Sequence, residues 1–117
     1  MNAPSDLEAT VLHTIAEKVA GSTAALEHQI KSARVLLREN TGAGFFTTFE
    51  VETDRPVSGV KSPVGFVVAS IRGLEHGMGF LLWLKDGLIY QLEGYAQGAE
   101  DTSSLDLERI QFQIDLR

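Results

Sequence analysis

Residues 79–95, GFLLWLKDGLIYQLEGY, constrain the possible folds of this chain more than any other stretch. Two apolar runs, 80–84 and 88–92, flank Asp86 and Gly87. A two-residue type I′ turn needs positive φ at both central positions. Gly takes that conformation at no steric cost and Asp tolerates it better than most residues, so the stretch predicts a β-hairpin. In the first arm Phe80, Leu82 and Leu84 point one way, and Leu81, Trp83 and Lys85 the other. An arm apolar on both faces over most of its length reads as a central strand covered on both sides. The second arm is less symmetrical: Leu88, Tyr90 and Leu92 share one face, with Ile89, Gln91, Glu93 and Tyr95 opposite.

Further strands follow from the same period of two. Phe45, Thr47, Phe49 and Val51 alternate with Phe46, Thr48, Glu50 and Glu52, predicting a strand with one buried face. Residues 64–71 are apolar on both sides, Val64, Phe66 and Val68 against Val67, Ala69 and Ile71. At the end of the chain Ile110, Phe112, Ile114 and Leu116 alternate with Gln111, Gln113, Asp115 and Arg117, as in an outer strand with one wet face. Residues 53–63 carry Pro, Gly and Ser chemistry and are long for a hairpin loop, which predicts a mobile segment or a flap.

The N-terminal part reads as helix. Ser5 followed by Glu8 has the capping-box form, and Leu7, Val11, Leu12, Ile15 and Val19 make one apolar stripe. Ala20, Gly21 and Ser22 close that helix, and residues 24–30 start another. Residues 33–40 fit either its continuation or a strand turning back at 41–44; the Gly-flanked turn favours the strand. The expected architecture is α+β, a single domain over 1–117. It has an N-terminal helix or helices packed on a five- or six-stranded, mainly antiparallel meander sheet.

With 44% hydrophobic and 22% charged residues among 117, the chain has the composition and the length for a core without staples. It holds no cysteine, which excludes disulfides, thiolate nucleophiles and Cys-based zinc sites. Ten Lys and Arg against sixteen Asp and Glu give a net charge of −6. That balance opposes nucleic-acid binding and steers a basic partner or a cationic ligand toward the protein. Asp6 and Glu8 stand where a signal peptide would have Lys or Arg, and no apolar run approaches the ~20 residues of a membrane span. The expectation is a cytoplasmic protein without a membrane partner.

Candidate site residues cluster around the hairpin. Glu75 and His76, between Gly73 and Gly77, would join with Glu93 in an acid/base group, or stand as a solvated turn. Glu93 and Tyr95 suggest a binding edge, and Glu50 and Glu52 share a face that with Glu93 would be acidic. A carboxylate pair at i, i+2 is not a glycosidase dyad, whose members face each other across a cleft. His13, His28 and His76 lack metal-ligand spacing, and Gly42 and Gly44 are no dinucleotide fingerprint, so no metal and no cofactor are expected.

The apolar strands pose a covering problem. One helix stripe shields one face, so Phe46, Val67, Ile71, Leu81, Trp83 and Ile89 need a second cover: a barrel-like curl, another helix or another copy. A contiguous exposed patch beyond a few hundred Å² is unusual on a monomer. The expectation is a homodimer or a protein partner bound through a sheet face.

The run TGAGFFTTFE at 41–50, together with GFLLW, DG and LEGY within 79–95, resembles a pattern in small, uncharacterised bacterial proteins of similar length. The resemblance covers roughly residues 40–95. It implies a bacterial, cytosolic origin and a compact α+β domain, and it brings no catalytic residues. The function expected is a non-enzymatic interaction or assembly protein. One version is an immunity-type acidic domain that neutralises a basic toxin, with Trp83 and Tyr95 as anchors. The rival is a small ligand-binding domain or hydrolase-like enzyme with a helix–sheet pocket built from Glu75, His76, Glu93 and Tyr95. Whether His76 and Glu93 share a cavity separates the two.

Overall fold

The computed structural model describes residues 3–19 and 21–115. The capping box forms: the Ser5 hydroxyl accepts the Glu8 N–H at 3.1 Å, and the Glu8 carboxylate accepts the Ser5 N–H at 2.8 Å. Helix α1 (Asp6–Glu17) starts there and buries Leu7, Val11, Leu12 and Ile15. Each of these stabilises the fold by roughly 2 kcal/mol relative to exposure. The helix is capped by Lys18; of the expected closing residues, Ala20 lies outside the described ones, and Gly21 has positive φ. Helix α2 (Thr23–Ser32) follows and buries Leu26 and Ile30.

At Ala33 the backbone becomes extended, and the chain enters β1 (Arg34–Asn40) rather than continuing the helix. The strand wins because β2 (Gly44–Glu50) returns antiparallel along it through the Gly-flanked turn, where the Thr41 N–H donates to the Gly44 carbonyl at 3.0 Å. Then come β3 (Val64–Ile71), β4 (Met78–Lys85), β5 (Leu88–Ala96) and β6 (Phe112–Ile114). The predicted hairpin joins β4 to β5, with Asp86 at φ 54° and Gly87 at φ 78°. The expected last strand is shorter than its alternation; Leu116 and Arg117 lie outside the described residues.

The fold is α+β, with both helices on one side of a six-stranded antiparallel sheet ordered β1-β2-β5-β4-β3-β6. Strands β3, β4 and β5 run as a meander. The sequence order breaks at β2, which pairs with β5, and β6 returns to the far edge beside β3.

Register shifts change which side chains need a second cover. Val64 pairs with Leu82 but Val67 with Phe80, so β3 carries an extra residue at 65–66. Gly65 bends there at φ 68°, close against Ile15. Trp83 pairs with Gln91 but Leu84 with Ile89, leaving Tyr90 as the extra residue in β5. Such bulges turn the strand over by one residue. Val67, Ile71 and Ile89, expected on the second face, therefore lie buried on the helix side. Phe66 and Tyr90 are exposed instead. Phe46, Leu81 and Trp83 remain on the face without helices.

Residues 53–63 are tied at their middle rather than forming a free flap. The fully buried Gln29 donates to the carbonyls of Arg55 at 2.8 Å and Gly87 at 3.0 Å, and accepts the Ile89 N–H at 2.8 Å. The Val57 N–H also reaches the Gly87 carbonyl, at 2.9 Å. Gln29→Leu removes all three bonds and leaves the buried Ile89 N–H unpaired, while the Gly87 carbonyl keeps the Val57 N–H, and is expected to cost about 3 kcal/mol in urea unfolding. The exposed Gln113→Leu is the neutral control. Equal midpoints for the two variants would refute the pinning role.

Candidate functional site

The helix-free side of the sheet is built from three rows of paired residues. Phe46, Glu93 and Leu81 lie side by side on β2, β5 and β4; Thr48, Gln91 and Trp83 form the next row, and Gly44, Tyr95 and Gly79 the row on the other side. Alternation places Phe45, Gly94 and Phe80 on the opposite, core face, where the Phe45 and Phe80 rings meet edge to face at 6.1 Å. Gly79 has its own reason to lack a side chain. A Cβ there would sit 2.5 Å from the Tyr95 hydroxyl, so the Tyr95 ring lies across the neighbouring strand.

Glu93 occupies the middle of this face. The Trp83 indole N–H donates to Glu93 Oε1 at 3.0 Å. Phe46 and Leu81 flank the carboxylate on the adjoining strands, and Tyr95 follows it on its own strand. All five residues are half-buried. The Tyr95 hydroxyl titrates above its ordinary value, first because of burial and then because of the Glu93 charge. Toward the β1 edge the apolar surface continues with Leu36 and Leu37, 58% and 60% exposed.

The other sequence-predicted residues lie elsewhere. Glu75 and His76 are exposed in the β3–β4 turn, and both of their backbone N–H groups donate to the Glu100 carboxylate, at 2.9 and 2.7 Å. Those bonds hold the Glu100 carboxyl below its ordinary value. His76 precedes Met78, which pairs with Ala96, whereas Glu93 pairs with Leu81 farther up the strand. The structure thus does not assemble Glu75, His76 and Glu93 into one group. Glu50 ion-pairs with Arg34 across β1 and β2. Strand β2 ends there, so Glu52 does not share its face; the Glu52 N–H is held by Ser32 at 2.9 Å.

The Glu52 carboxylate instead lies with His28 and Asp54, their ligand atoms all within 4.8 Å of one another. One imidazole nitrogen and two carboxylates are a donor set that divalent first-row ions accept. Histidine spacing gives no hint of it, because α2 and the loop after β2 supply the donors separately.

Two cavities stand out, and neither is lined by Glu75, His76, Glu93 or Tyr95. The larger, about 770 Å³, opens between α1 and β3 beside Thr14, Lys18 and Val67. The smaller, about 240 Å³, lies at the β1 edge above Phe45 and is bounded by residues 105–108. At its floor is Glu8, 3% exposed. Glu8 Oε1 accepts from the Ser5 N–H and Arg38 Nη2, both at 2.8 Å. Its Oε2 accepts from Arg38 Nε at 3.0 Å and the Thr47 hydroxyl at 2.5 Å. Arg38 Nη1 donates onward to Glu108 at 2.9 Å. With two donors on each oxygen, Glu8 has no lone pair to offer a substrate, and its role is to tie α1 to the edge strand. Sequence reading found only the capping half of this residue, because Arg38 and Thr47 are distant in the chain.

Comparison with protein-family models, with curated proteins and with solved structures found no match for this chain. Among the described residues, no helix is long and apolar enough to cross a membrane.

The Glu8 tie makes stability pH-dependent. Burial acts to raise the carboxyl pKa, but the Arg38, Thr47 and Ser5 hydrogen bonds and the Arg38 charge outweigh it, and the net shift is downward. A carboxyl lowered on folding contributes in full above its unfolded value, about 4.3, and loses that contribution as pH falls through the folded value. Arg38→Met, which strands a buried carboxylate, is expected to cost about 3 kcal/mol at neutral pH. The gap to wild type should shrink at pH 3, where Glu8 can protonate. Urea unfolding at both pH values decides it; a pH-independent gap would contradict the ionic origin.

Proposed function

We propose that this chain is a non-enzymatic interaction module that docks a basic protein on the helix-free face of its sheet. The observation that carries the reading is the half-buried group of Phe46, Leu81, Trp83 and Tyr95 around Glu93, on a side that no helix covers among the described residues. Aromatic side chains fixed on strands are the usual anchors of protein interfaces, where a few of them carry most of the affinity. The molecule is a slab measuring 38 × 33 × 19 Å. Its broad face is therefore large enough for the ~800 Å² that a standard interface buries per partner. The −6 charge accelerates encounter with a basic partner.

The same carboxylate weighs against a face-to-face homodimer. Two-fold symmetry sets one patch on its own copy, bringing Glu93 toward Glu93 between two chains that are each acidic. A heterologous basic partner fits better, and neutralisation of a basic toxin in the bacterial cytosol is the concrete version we favour.

The test uses a photo-crosslinking amino acid at Thr48, on the open face, and at Glu17, on the helix side, in the native host. Thr48 should yield one stoichiometric adduct with a basic protein, and Glu17 none. In the purified pair, Trp83→Ala should weaken binding about thirtyfold, the loss of a ~2 kcal/mol hot spot. Adducts only with another copy of the chain, or equal adducts from both positions, would overturn the proposal.

A further inference from the structure

The docking face has a chemical centre. Resting on the reading above, we infer that Glu93 and the side chains around it form a seat for one arginine side chain of the partner. The first ground is the hydrogen-bond inventory. Trp83 fixes Glu93 Oε1 at 3.0 Å, and among the described residues no donor reaches Oε2. Arg34 neutralises Glu50 and Arg38 neutralises Glu8, yet no Lys, Arg or His of the described chain pairs with Glu93. A carboxylate oriented on one oxygen and open on the other presents a directed acceptor.

The second ground is what surrounds it. Phe46 and Leu81 lie beside Glu93, Trp83 leans onto it from the next row, and Tyr95 bounds the other side. These groups thin the water around the carboxylate, and an ion pair made there is less screened than one on an open surface. They also offer π faces to a cation. A guanidinium can donate to the open oxygen while stacking on indole or phenol, which an ammonium, compact and strongly hydrated, does less well. At the far end of the same hairpin the chain fills such a position itself, with the Lys85 ammonium 5.6 Å from the Tyr90 ring. Among the described residues, no such internal cation reaches the Trp83–Glu93–Tyr95 position.

The third ground is the sign of the neighbourhood. Glu39 pairs with Phe46 on the same face and is exposed, so a second carboxylate stands two strands from the first. An approaching anion is repelled and an approaching cation attracted.

Trp83 is the sole tryptophan of the chain, which makes it a built-in reporter. The probe is an acetylated and amidated Gly-Arg-Gly tripeptide titrated into the full chain, with the Trp83 indole N–H resonance and tryptophan fluorescence as readouts. We expect a saturable shift with a millimolar dissociation constant. Glu93→Gln keeps an oxygen for Trp83 and should weaken binding at least about tenfold, a 1.4 kcal/mol change. Circular dichroism checks that the variant is folded. The lysine tripeptide should bind several-fold more weakly, and the norleucine tripeptide not at all. Absence of a saturable shift up to about 50 mM peptide, an unchanged affinity in Glu93→Gln, or lysine binding as tightly as arginine would each sink the assignment. The crosslinked partner separates the two proposals. If it still binds Glu93→Gln normally but loses Trp83→Ala, the docking face stands and the arginine seat falls.

Discussion

Helices α1 and α2 follow one another within the first 32 residues, and what comes after them is sheet and the segments that join its strands. Both helices pack on the same side, so the hydrophobic stripe of Leu7, Val11, Leu12, Ile15, Leu26 and Ile30 serves one face of the sheet only. Everything else about the molecule adjusts to this shortage of cover. Strand β4 cannot be turned over to hide Leu81 and Trp83, because the same turn would expose Phe80 and Leu82, both nearly inaccessible against the helices. Its two apolar faces make a residual surface unavoidable.

The chain limits that surface by changing the parity of its strands. Two of the bulges trade one exposed residue for correctly buried ones, residues 65–66 in β3 and Tyr90 in β5, whereas the one at Leu36 in β1 leaves Leu37 exposed as well. Without the β3 bulge, Val67, Ala69 and Ile71 would face away from the core; with it, Phe66 alone is sacrificed, at 51% exposure. This is also where legibility in the sequence ended. The capping box and the Asp86–Gly87 turn are determined by residues at most three apart, and both were readable. Strict alternation placed Ile89 with Trp83 on the wrong face, because a bulge reflects tertiary packing and leaves little local signature beyond Gly65. The candidate site was legible in part. Trp83, Glu93 and Tyr95 stood out within one hairpin, and Phe46 was expected on the uncovered face with Leu81 and Trp83, but its place beside Glu93 comes from the unexpected pairing of β2 with β5.

Two glutamates illustrate how placement sets role. Glu8 is buried and every one of its acceptor positions is filled, by Ser5, Arg38 and Thr47. Such a carboxylate is structural: it satisfies the start of α1 and fastens the edge strand, and opening it would leave buried groups unpaired. Among the described residues Glu93 receives one hydrogen bond, from an indole that is itself half-exposed. It is ordered enough to be aimed. A folded chain gains little by keeping a carboxylate among aromatic rings, since Gln would accept the Trp83 hydrogen bond as well. The proposed docking gives its charge a use outside the chain.

That charge bears on specificity as much as on affinity. A flat sheet face with Phe46, Leu81, Trp83 and Tyr95, bordered by Leu36 and Leu37, would adhere to any similar surface if it were neutral. The nearest similar surface in solution is a second copy of the same chain. Glu93 at the centre and Glu39 toward the edge oppose that pairing, and the overall −6 charge adds long-range repulsion between copies. Discrimination is a difference of affinities, so one buried like-charge encounter on the wrong partner counts as much as one ion pair on the right one. On the docking proposed above, a single glutamate would do two things at once: keep the uncovered face from closing on itself, and leave that face selective for a partner that carries the opposite charge.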